Sequence, residues 1–497
     1  MTGILAALPT VAGASFCMML AHAPFRNGTR VGIVSSAAVA LLSIGALWWH
    51  RRLSPPSGFP LLLAAVAGVL FTLAISCVWS IAPDYSWDSF TKEHLWFLLL
   101  TAAVALWGTT VGRQRWILCG LALAGILSAI PGISLYYAAP SLQRSGWIES
   151  AGDYLWEAQD ASGVPYRRAK GMLESYTRSA IVFVFAIPAM IALLPAAYAS
   201  RHRWILTALL VIGLGLSLFY MLLTKSRGPL LACAIATGVL LLLMRIRWWI
   251  LAAPIAALAL LLAALPAERA RLATLYQHLH QPNLLLSGRL ELWSEGLTII
   301  RENPLLGVGY GGNILLQPAA LDRGYGLHSD RAQPDLHQVY LQTLAEVGII
   351  GFLAYLLLVV VLLSLAVRIL WSTPVREAPG TAVAFSVAVG MLAFGFVYAF
   401  NERHIALMLW TTAGLLAARV APTAPLTQPA APATLPPTQS DHGASGPPPP
   451  DSSLHRATRP RPTAHRSAAT LSRPLRRDAL PSPPSARQAR TLRQRVV

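Results

Sequence analysis

The chain has 497 residues, 55% of them hydrophobic and only 12% charged, with a mean hydropathy of +0.54. Soluble domains carry about a quarter charged residues, so these values exclude an ordinary water-soluble globule and put most of the chain in a bilayer. Much of the net charge of +18 sits in a tail beyond residue 421.

Apolar runs near the ~20 residues needed to cross a bilayer recur about twelve times, over roughly 3–23, 31–49, 59–80, 94–112, 116–138, 179–199, 204–223, 229–244, 248–265, 338–367, 380–400 and 404–419. The first run has no small-residue cleavage site and further spans follow it, so it reads as a retained helix. The expected fold is therefore all-α and polytopic, with residues 1–420 as the membrane domain. With the N-terminus inside, Arg51–Arg52, Arg113/Arg115, Arg201/Arg203, Arg245/Arg247 and Arg368/Arg376 fall on retained loops, as the positive-inside bias requires. The segments 139–178 and 266–337, the latter between spans nine and ten, then face outward with the acidic loop Asp84–Asp88.

One outward connection breaks the charge pattern. Between spans seven and eight stands Thr224-Lys225-Ser226-Arg227-Gly228-Pro229. Its cations either snorkel at a helix end or hold an anionic ligand at the outer leaflet. The four cysteines Cys17, Cys77, Cys119 and Cys233 all lie in spans without CxxC spacing, which suits packing better than disulfides or metal ligation. No DxD or HExxH arrangement occurs, so neither a metal nor another cofactor is expected. Residues 421–497 are rich in Pro, Ser and Arg and are expected to be a disordered inward tail able to touch lipid headgroups. The tail lacks interleaved aromatics, so nucleic-acid binding is not expected.

The outward segment 266–337 carries most of the polar chemistry. Ser287-Gly288-Arg289 opens a helix with Leu290, Trp293, Leu297 and Ile300 at three- and four-residue spacing, an apolar stripe for a helix lying on the bundle or the membrane face. Asn303-Pro304 ends it, and the run Gly307-Val308-Gly309-Tyr310-Gly311-Gly312 follows. Its amides either cradle a phosphate or merely turn the chain. Pro334-Asp335 reads as a helix start with Asp335 as cap, which puts His337 in the first turn of the tenth span. His337 is then a general base or an idle interfacial residue. Gly348 and Gly351, on roughly one face, would let that helix approach a neighbour closely. Arg227 and Arg289 either present the planar fork that clamps a phosphate or diphosphate, with Lys225 as an added point charge, or anchor at lipid headgroups. Glu402, in Phe400-Asn401-Glu402-Arg403-His404, either orients His337 or the acceptor hydroxyl, or closes a salt-bridged turn.

Ser226-Arg227-Gly228, Ser287-Gly288-Arg289 with Trp293, Asn303-Pro304-Leu305-Leu306-Gly307-Val308-Gly309-Tyr310-Gly311, and His337-Gln338 followed by Gly348-x-x-Gly351 together resemble the O-antigen ligase and polymerase superfamily of bacterial envelope proteins. The likeness covers roughly residues 165–415; where family members commonly have Asn after the histidine, this chain has Gln338. The resemblance implies a multi-pass protein of the bacterial inner membrane with its active site facing the periplasm. It further implies transfer of a polysaccharide from undecaprenyl diphosphate to lipid A–core oligosaccharide, completing lipopolysaccharide. His337 would be catalytic, and Arg227, Arg289, Lys225, Gly309, Tyr310, Gln338 and Glu402 would bind diphosphate or substrate. The polymerase branch and the protein-glycosylating branch remain alternatives, and a lipid-linked-solute transporter or flippase is the non-enzymatic one.

Overall fold

The computed structural model describes residues 2–25, 30–145, 150, 152, 154–159, 165–173, 175–246, 289–312, 336–395 and 403–419. The described residues all fall within the unit Met1–Ala424. The expected disordered tail, 421–497, lies outside the described residues.

The described residues are almost wholly helical: α1 (Thr2–His22), α2 (Arg30–Trp49), α3 (Phe59–Val78), α4 (Pro83–Ser89), α5 (Trp96–Trp107) and α6 (Val111–Arg144). After α7 (Tyr176–Tyr198), α8 (Arg203–Thr224) and α9 (Arg227–Leu243) come α10 (Arg289–Glu302), α11 (Val339–Ser372), α12 (Pro379–Phe394) and α13 (Arg403–Ala417). Seven of them, α1, α2, α3, α6, α7, α8 and α11, are long and apolar enough to cross a membrane, and α5, α9, α12 and α13 are shorter apolar helices. The chain is a multi-pass membrane protein. Each expected span coincides with one of these helices except the ninth, 248–265, which lies outside the described residues.

Two features depart from the expected all-α pattern of helices and loops. An antiparallel hairpin, β1 (Leu155–Gln159) with β2 (Pro165–Ala169), stands between α6 and α7, pairing Leu155 with Ala169. The acidic stretch Asp84–Asp88, expected as a loop, is helical in α4 and runs through a π-helical turn at Phe90–Leu95 into α5. Pro83 at the first helical position and Asp84 in the first turn explain the early start: the ring presets φ, and the carboxylate meets the positive helix end.

α7 forms the centre. All its residues from Ser179 to Met190 are buried, as a helix apolar on every side must be, and α6, α8, α9 and α12 enclose it. α8 instead leaves Leu209, Val211 and Ile212 exposed, a face suited to lipid. The four thiols are free, three of them buried. At one end of α12 the fully buried Gln114 side chain joins four helices. Its Nε2 donates to the carbonyls of Gly108 (3.2 Å) and Ala418 (3.2 Å), and its Oε1 accepts from the Gly380 amide (2.9 Å). The ends of α5, α6, α12 and α13 are thereby tied together.

Candidate functional site

The opposite end of α12 gathers the starts of three other helices. α8 is capped by Lys225, whose φ of 52° is left-handed, and α9 begins two residues later with Arg227. Ser226 Oγ donates to Thr177 Oγ1 at the start of α7 (3.4 Å). Gly228 sits so close to the Phe394 ring that a Cβ would overlap it. On the other flank of the same α12 terminus, the Val339 amide donates to the Gly395 carbonyl (2.9 Å) and Tyr340 Oη to that of Leu392 (2.6 Å). Phe394 and Gly395 therefore hold the Arg227 turn and the His337 end of α11 side by side. Arg227 is exposed there, while Lys225 and His337 are half-buried.

The start of α11 differs from the expected one. Gln338 is the N-cap, its side chain accepting from the Leu341 amide, so His337 precedes the helix and does not lie in its first turn. Asp335, the expected cap, lies outside the described residues. His337 has a φ of 49°, a left-handed conformation that few non-glycine residues adopt. The preceding residue, Leu336, is fully buried with Ile299, Val308 and Ala345, and its carbonyl accepts from Trp293 Nε1 (3.1 Å). Trp293 lies four residues after Arg289, on the same face of α10. α10 thus ties the half-buried Arg289 to the His337 turn.

The glycine run is a strap across a break in α11. Gly348 has φ 62° and ψ −171°, a region open essentially to glycine alone. In an unbroken helix the Ile349 and Ile350 amides would bond to the carbonyls of Ala345 and Glu346. Here those carbonyls accept from Val308 and Gly309 (both 2.9 Å), while the two amides donate to Pro304 (2.9 Å) and Leu305 (3.3 Å). The break exchanges two helical hydrogen bonds for four between helix and strap, leaving none of these groups orphaned. On its other side the strap accepts from the Ile81 amide at Val308 (3.1 Å) and from Ser86 Oγ at Tyr310 (2.6 Å).

This corrects the phosphate-cradle reading of Gly309. The amides of Gly307, Val308, Gly309 and Gly312 all donate to main-chain carbonyls, so they are not offered to an anion. Their glycines serve docking: a Cβ on Gly307 would meet the Glu346 backbone. Gly348, likewise, receives the strap's main chain and not a neighbouring helix. Tyr310 is buried and lines a cavity of about 240 Å³ between α3, α5, α11, α12 and α13.

Sequence reasoning missed the polar side of that cavity. Glu346, 4% exposed, takes a 2.9 Å hydrogen bond on Oε1 from Gln342 Nε2, a partner that a buried carboxylate needs. Both line the cavity with Tyr340 and Thr343, the remainder of its wall being mostly apolar. The available signal was a Gln and a Glu four residues apart in an otherwise apolar span. Glu402 lies outside the described residues, as do 266–288 and 313–335 of the long segment expected to face outward.

Residues 212–356 match the family model described as O-antigen ligase. The match takes in Lys225, Arg227, Arg289, Gly309, Tyr310, His337 and Gln338, together with the strap and the break it crosses, and stops before Glu402. Comparison with curated proteins gives no match.

Proposed function

We propose, from the premise that residues 212–356 carry an O-antigen ligase family domain, that this protein transfers a glycan from undecaprenyl diphosphate to lipid A–core oligosaccharide. It would be a glycosyltransferase of about twelve spans in a bacterial inner membrane, working at the periplasmic face with its tail in the cytoplasm. The observation that carries the reading is the convergence on one α12 terminus of the Arg227 turn and the His337 turn, the latter tied to the helix that begins with Arg289.

The residue chemistry then gives a single displacement. Arg227 and Arg289, aided by Lys225, hold the diphosphate and stabilise the charge that grows on it. An acceptor hydroxyl attacks the anomeric carbon, the bond from that carbon to the phosphate oxygen breaks, and undecaprenyl diphosphate leaves with the electron pair. His337 accepts the hydroxyl proton as general base, and the anomeric carbon inverts. Gln338 commits its Oε1 to the helix cap, so its Nε2 would meet the acceptor sugar. Glu402 would orient His337 or that hydroxyl. Diphosphate is already a good leaving group, so no metal is needed. The apolar wall beside Tyr310 suits a lipid chain of a substrate.

A second reading has one observation in its favour. A broken α11 with a buried Glu346 beside the break is also what a transporter of lipid-linked solutes would show. Purified protein in liposomes, supplied with undecaprenyl-diphosphate glycan and either lipid A–core or a protein acceptor, separates the readings. One glycan added to lipid A–core supports ligase action, whereas longer lipid-linked glycans indicate polymerase and a modified protein indicates protein glycosylation. Donor that crosses the bilayer unreacted would refute the enzymatic reading.

A further inference from the structure

We infer that Trp293 is the positioning residue for His337, acting through the Leu336 carbonyl. The inference rests on the reading of His337 as the base.

His337 is held in a left-handed conformation, φ 49°, which costs an L-residue free energy relative to right-handed or extended backbone. Something on each side must hold it. On the far side is the Gln338 cap, whose side chain accepts from the Leu341 amide. On the near side, the peptide from which φ of His337 is measured ends in the Leu336 carbonyl, and that carbonyl takes the indole N–H of Trp293 at 3.1 Å. An indole has this single donor and no acceptor, so the bond fixes one peptide plane. Leu336 is fully buried, and Gly296 of α10 lies against it so closely that a Cβ would meet its Cδ1 at 2.7 Å. Helix and peptide therefore cannot slide past one another freely. Because Arg289 stands one turn before Trp293 on the same face, one rigid element sets both the guanidinium and the imidazole. The indole bond is the link that keeps their spacing constant.

The test replaces Trp293 in the full-length protein with 3-benzothienylalanine, which keeps the fused-ring shape and exchanges the N–H for sulfur; Trp293→Phe is made alongside. Transfer from undecaprenyl-diphosphate glycan to lipid A–core is followed at varied donor concentration, with thermal unfolding of each variant and with His337→Ala in parallel. The expected result is a fall in kcat of about tenfold or more, as a lost hydrogen bond and a misplaced base produce. The donor KM should stay within about twofold and the benzothienyl protein should unfold within about 4 °C of the wild type, the cost of one hydrogen bond, a combination that a purely structural role does not give. Wild-type kcat in the benzothienyl variant beside an inactive His337→Ala overturns the inference alone. Wild-type transfer by His337→Ala overturns both the reading of the base and this inference.

Discussion

Replacing Gly348 with alanine is the most demanding perturbation of the strap. Its φ of 62° and ψ of −171° lie where a side chain costs about 1–3 kcal/mol. The new Cβ would also overlap the Leu305 carbonyl carbon and oxygen, which are main-chain atoms and cannot turn aside. If the strap lifts, the four hydrogen bonds that link it to Ala345, Glu346, Ile349 and Ile350 go with it, at about 1 kcal/mol each. The expected loss is about 5–7 kcal/mol, enough to lower the unfolding midpoint in detergent by on the order of 10 °C. Transfer should fall about a hundredfold or more, since the half-helix that follows His337 loses its seat. Gly351→Ala supplies the contrast. Gly351 has ordinary helical backbone, and its Cβ would overlap Cγ2 and Cβ of the Val347 side chain, so a loss of about 1–3 kcal/mol from overpacking is expected. Gly348→Ala should therefore lower the unfolding temperature and single-turnover transfer more than Gly351→Ala does; equal effects in the two variants would refute the strap argument.

Three other outcomes follow from different parts of the molecule. Gln114→Leu removes the bonds to Gly108, Ala418 and Gly380 and should cost about 3 kcal/mol in thermal unfolding. The kcat of the protein that remains folded should be unchanged, because the clamp lies at the far end of α12. Arg289→Lys keeps the charge and loses the planar fork, and should raise the donor KM and lower kcat together, about tenfold in kcat/KM; near-normal kinetics would make Arg289 a headgroup anchor. Deleting residues 425–497 should leave transfer by the purified protein within about twofold, and a larger loss would give the tail a part in the reaction.

The helices were legible because a bilayer imposes length and apolarity, which composition records directly. Arg227 was legible as a cation at a span end against the charge pattern, and Arg289 as a cation opening a helix within the long segment expected to face outward. The break in α11 was not. Gly348 and Gly351 look equivalent in sequence, and only the exchange of hydrogen bonds with Pro304–Gly309 distinguishes them. The cap of α11 was misplaced for a related reason: Asp335 is the stronger capping type, but the Gln338 side chain reaches the Leu341 amide, and the left-handed turn at His337 has no sequence signature of its own. The glycine run matched an anion cradle equally well until its amides were traced to main-chain partners. Glu346 was hidden by the average hydropathy of its span.

The most direct measurement of the central claim is single-turnover transfer from undecaprenyl-diphosphate glycan to lipid A–core by purified wild-type protein and by folded His337→Ala. The account predicts one glycan per acceptor with inverted anomeric configuration in the wild type, and a loss of about a hundredfold or more in the variant with donor binding intact. Retained configuration in the product, or a His337→Ala rate equal to wild type, would contradict it.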